Sequence, residues 1–142
     1  MSATNTPLEL HKAIYRALAT DPGFRGIAAG DGVYDVAPVQ GAPFPYAVIG
    51  DVSDDRIVVS GGRDPSVHFV RVSLFSARND RKELLEMLHA IRGALANLEV
   101  EGHSVADCSV RQLTTFRDPS STVGRPIVVM HLEVRVALQP LS

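Results

Sequence analysis

From Ile127 to Leu138 the chain alternates without a break, with Val128, Met130, Leu132, Val134, Val136 and Leu138 in one phase and Val129, His131, Glu133 and Arg135 in the other. Successive side chains of a strand point to opposite faces, so this pattern predicts a strand with one apolar face and one mixed face. An apolar face of that kind needs a second layer to cover it. At about 3.3 Å per residue the strand reaches on the order of 40 Å, longer than a typical strand, and part of it is expected to pair outside the subunit or to extend a hairpin beyond the core.

The rest of the chain supplies that layer. Thr6 followed by Pro7 and Glu9 reads as a capping box opening a helix to about Thr20, with Leu10, Ile14 and Leu18 on one side, ended by Asp21-Pro22-Gly23. Phe24 to Gly32 reads as a loop, and Val33 to Val36 as a short strand. Pro38, Pro43 and Pro45 make an extended connector into a strand at Tyr46 to Val52. Val67 to Ser76 alternates, with Val70, Val72 and Leu74 against Phe69, Arg71 and Ser73. Asp80 and Glu83 repeat the capping signature before a leucine stripe running to about Leu98. Cys108 to Phe116 and Ile127 to Leu138 then close the chain as a hairpin with a long tip. The expected fold is α+β: a two-layer sandwich, a mostly antiparallel four- to five-stranded sheet with two helices on one face, formed by residues 1–142 as a single domain. Residues 54–66, rich in Gly and charge, are expected to project as a mobile loop or hairpin.

Composition narrows the function. Lys+Arg 14 against Asp+Glu 16 gives a net charge of −2, which leaves no broad basic field for nucleic acid. The single cysteine, Cys108, excludes an internal disulfide and a multi-cysteine zinc site, and suits a reducing cytoplasm. Neither a signal peptide nor a membrane-spanning stretch is expected.

Chemical constellations are sparse. Asp51, Asp54, Asp55 and Asp64 are carboxylates able to hold a hard cation or work as acid and base, yet they surround a Gly-rich loop where solvated charge is the commoner state. His11, His68, His89, His103 and His131 show no metal-ligand spacing. Neither a nucleophile elbow nor a phosphate-binding glycine motif is present, so no catalytic, cofactor-binding or metal residue is assigned. Charges do gather at two tips: Asp54, Asp55, Arg56, Arg63 and Asp64 at one, Arg117, Asp118 and Arg125 at the other. Arginine's planar fork suits protein contacts, and these eight residues are the candidate partner-contact set.

Val33-Tyr34-Asp35, the run Gly41-Ala42-Pro43-Phe44-Pro45-Tyr46-Ala47-Val48-Ile49-Gly50, the strand end Leu74-Phe75-Ser76 and the late Phe116-Arg117-Asp118-Pro119 turn stand together in a distinctive order. In this the chain resembles the tail-completion, or tail-terminator, proteins of long-tailed phages and phage-like gene transfer agents, departing at Phe75, where an indole is expected. The resemblance implies a non-enzymatic subunit of a homohexameric ring at the head-proximal end of a tail tube. Such a ring stops tube polymerisation and offers a surface to the neck. Implied partners are further copies of the chain, the tail tube protein and a neck or stopper protein, with DNA passing through the lumen without sequence-specific recognition. Implied location is the host cytoplasm during assembly, then the particle. Two alternatives stay open: a head-side connector of the same neck, and a small metal-dependent enzyme using the carboxylates between Asp51 and Asp64.

Overall fold

A computed structural model of the chain describes residues 6–36, 42–56, 66–78, 80–119 and 127–140, the side chains of 54–56 and 140 excepted. In chain order the elements are α1 (Thr6–Thr20), α2 (Pro22–Ile27), β1 (Val33–Tyr34), β2 (Tyr46–Arg56), β3 (Ser66–Ser76), α3 (Lys82–Leu95), β4 (His103–Asp118) and β5 (Ile127–Pro140). The strands form a sheet in the order β1-β2-β3-β5-β4. β1 runs parallel to β2 and every other pairing is antiparallel, so the fold is the expected α+β arrangement.

The alternation decides which face the helices cover. Val128, Met130, Leu132, Val134, Val136 and Leu138 join Val70, Val72 and Leu74 of β3, and Leu84, Met87, Leu88, Ile91 and Leu95 of α3, in one buried core. Leu10, Ile14 and Leu18 of α1 complete it.

β5 itself corrects an expectation. Its excess length is not spent outside the subunit, because β3 pairs with it from Val128 to Leu138 and β4 from Ile127 to Pro140. The long edge strand of the described sheet is β4 instead. That 16-residue strand carries irregularities between Val105 and Asp107 and between Gln112 and Thr114, and bulges of this kind twist an edge away from unwanted pairing.

Local chemistry overrode the sequence reading in three more places. Asp21 does not simply end a helix: its carboxylate accepts the Phe24 N–H at 2.8 Å, Pro22 fills the first turn, and α2 forms where a loop is expected. At α3 the capping box does not close. The Glu83 carboxylate accepts instead from the buried Ser76 hydroxyl at 2.6 Å, and Arg81 takes the N-cap position with no side-chain hydrogen bond. At α1, Thr6 is already helical and its hydroxyl lies 3.1 Å from His103 Nε2. Of the expected excursion at 54–66, Asp54 to Arg56 continue β2 and Ser66 starts β3, and the remainder lies outside the described residues.

A candidate interaction surface

Among the described residues no helix lies over the second face of the sheet, and its composition is ordered in rows set by register. At one end Tyr46, Phe75, Val129 and Phe116 stand side by side across β2, β3, β5 and β4. Phe44 and Tyr34 extend this row: the Tyr46 ring lies 4.9 Å from Phe75, 5.1 Å from Phe44 and 5.6 Å from Tyr34. Aromatic pairs at such separations add to area burial. Burial and the neighbouring Tyr34 push the Tyr46 phenol above its ordinary pKa. Phe116 remains 45% exposed, whereas Val129 beside it is only 3% exposed although it lies outside the helix-covered core.

The approach to this row is tight. Gly30 has φ +59°, and a side chain there would meet the Pro43 ring at 2.7 Å, so a glycine is required for the segment carrying Phe44 to close on the loop after α2.

Toward the other end the surface turns polar. In the next row Ser73 Oγ lies 2.8 Å from His131 Nδ1, and His131 also meets the Phe116 ring at 5.5 Å. Burial and the nearby Arg71 guanidinium hold the His131 pKa below its usual value. Charges follow. Arg111 donates to Glu133 at 2.8 Å and Arg135 to Asp107 at 3.0 Å, while Asp51, Arg71 and Glu133 line a shallow groove of about 370 Å³. A further groove, about 890 Å³, lies on the outer side of the helices between α2 and α3, with Ile27, Leu85 and Ala90 among its walls.

Register separates the candidate contact residues. Asp54, Asp55 and Arg56 lie opposite His68, Val67 and Ser66, at the end of the sheet where β5 finishes. Arg117 and Asp118 lie opposite Val128 and Ile127, at the end where β5 begins. These two groups therefore stand at opposite ends of the sheet; Arg63, Asp64 and Arg125 lie outside the described residues. The row of Tyr46, Phe75 and Phe116 was not singled out from the sequence. Its signal was the off-phase apolar residues of the alternating strands, which become a patch only once the register aligns them.

Chemistry at the remaining candidates is muted. Among the described residues no group of three or more His, Cys, Asp and Glu side chains stands close enough to hold a metal ion. Cys108 packs against the core, and burial together with Asp107 pushes its thiol up to about 11, far from a thiolate at neutral pH. His68 is buried, with Nε2 2.8 Å from Ser66 Oγ. No described helix is long and apolar enough to cross a membrane.

A profile of the tail completion protein gp17 family matches residues 12–136. The chain belongs to that family. The solved structures that share its fold include the following two. One is a chain of the virion of a native gene transfer agent particle, with a TM-score of 0.73 at 16% identity, covering 96% of this chain and 99% of that one. The other is the gp17 protein of bacteriophage SPP1, with a TM-score of 0.57 at 19% identity, covering 98% of this chain and 93% of that one. No curated protein sequence matches it. Family membership makes this a structural protein of a phage-type tail, and the sheet face that no described helix covers is its most developed candidate contact surface.

Proposed function

We propose that the chain is a tail terminator: copies of it close into a six-membered ring at the head-proximal end of a tail tube, end tube growth and present the surface on which the neck docks. The observation that carries this reading is the uncovered face, where an aromatic row grades into paired charges in a member of a tail-completion family. Interfaces concentrate aromatic side chains and arginine in this way, with a polar rim around an apolar centre. The role is contact rather than catalysis. Closed cyclic symmetry lets each modest subunit contact be reinforced by two neighbours and by the tube beneath.

Particles assembled without this protein test the proposal. Uncapped tubes are expected to grow to abnormal and variable length and to fail to join heads. Normal-length tails attached to full heads would overturn the capping role. Normal-length tails beside unjoined heads would shift the protein to a head-side connector, the second reading compatible with the same family.

A further inference from the structure

We propose that neighbouring copies of the chain meet through two complementary charge patches at opposite ends of the subunit, the cationic groove of Arg81 and Arg117 on one copy receiving Glu99 and Glu101 of the next. This inference rests on the ring reading and adds to it which surfaces touch.

Arg81 and Arg117 line one groove of about 460 Å³ between the start of α3 and the end of β4. Both are exposed, and neither guanidinium has a hydrogen-bond or ion-pair partner among the described residues. Asp80, the acid in the same groove, is engaged with the Lys82 N–H at 3.2 Å and with Arg78 at 3.5 Å. Like charges lining one groove repel, and Arg81 also occupies the N-cap of α3, where the positive end of the helix disfavours a cation. The Thr115 hydroxyl in the groove accepts from Gln112 at 2.9 Å, which leaves its own proton free to donate to an anion.

The matching carboxylates lie beyond the other end of α3. Glu99 and Glu101 are exposed and make no ion pair among the described residues; Arg16 shares a groove with Glu99 without bridging to it. Glu101 sits at the entrance to β4, its carbonyl accepting from His103 Nδ1 at 2.9 Å. The 16-residue β4, which ends at Asp118, sets Arg117 on the order of 45 Å from Glu101 at about 3.3 Å per residue, and the 14-residue α3 sets Arg81 at least about 20 Å from Glu99 at about 1.5 Å per residue. Charges so far apart are screened from one another within a Debye length of about 8 Å. Within one copy the two patches do not reach each other, whereas between copies they can. A contact joining two different patches is head-to-tail, the kind that closes into a ring.

A carboxylate fits this groove better than a nucleic-acid backbone. Asp80 shares the groove with the arginines, and the chain as a whole carries a charge of −2, so an extended polyanion meets more repulsion than two discrete carboxylates do.

Charge reversal tests the contact. Full-length wild type, Arg81→Glu/Arg117→Glu, Glu99→Arg/Glu101→Arg and an equimolar mixture of the two variants are compared by native mass spectrometry at high concentration, and by electron microscopy on tail tubes. Each variant alone is expected to lose ring formation at least tenfold, because like patches then face each other. The mixture is expected to recover it as rings of alternating subunits in 1:1 ratio. Variants that form rings as well as wild type would overturn this contact and leave the ring reading standing. Arginine variants that keep ring formation but lose binding to a DNA duplex would also overturn it, assigning the groove to phosphate. A wild type that forms no ring in solution or on tubes would remove the ring reading itself.

Discussion

The two faces of the sheet are written by the same alternation yet are built for different surroundings. Under the helices the even-numbered residues of β5 are uniformly apolar and no more than 8% exposed from Val128 to Leu138. On the opposite face the odd-numbered residues change character along the strand, from Val129 in the aromatic row, through His131 to Glu133 and Arg135. A face finished within the subunit is filled evenly. A graded face, apolar at one end and charged toward the other, is what the proposed docking role asks of a surface that meets its partner in a fixed orientation.

The sharpest way to break this contrast is to cut the same strand on both faces. Leu132→Ala, at the centre of the covered face, is expected to cost about 2 to 5 kcal/mol in chemical denaturation. Leu88→Ala, from the stripe on α3, belongs in the same range; a loss under about 0.5 kcal/mol at either position would show that the helices do not seal that face.

Val129→Ala tests the uncovered face at its most buried point. Loss of two methyl groups there is expected to cost about 1.5 kcal/mol. A cost equal to that of Leu132→Ala would mean that the aromatic row is a second core rather than a contact surface. Smaller still is the Arg111–Glu133 pair, where a double-mutant cycle in the free subunit is expected to yield less than about 1 kcal/mol, since the arginine side chain is 72% exposed.

The smallest effect is one of pH. His131 has a folded pKa below 6.5, so the unfolded chain binds the proton more readily than the native state does. Its contribution to stability is fully present above pH 6.5 and is lost as pH falls through the folded value. Melting temperature should therefore decline on acidification less in His131→Gln than in wild type. Equal slopes would show that burial and the nearby Arg71 do not set this titration.

The covered face was legible in the sequence because strand alternation and the leucine stripe are local signals. Val70, Leu74, Leu84, Ile91 and Leu132 all lie where their spacing puts them. Legibility failed where the outcome depends on competition or on register. Asp21-Pro22 carries the chemistry of a helix start as well as of a stop, and only the position of the Phe24 N–H separates them. Glu83 matched a capping box until Ser76, distant in the pattern but near in space, took its carboxylate. The central place of β5 and the separation of Asp54 to Arg56 from Arg117 and Asp118 follow from pairings between segments far apart in the chain. No window of sequence contains them.

The capping claim is tested most directly by adding the purified chain to its own tail tube protein during polymerisation and following tube length over time by electron microscopy. Growth should stop early at one end, with this protein at that end and length falling as more of it is added. Tubes that lengthen at the same rate and to the same extent with and without the protein would contradict the account.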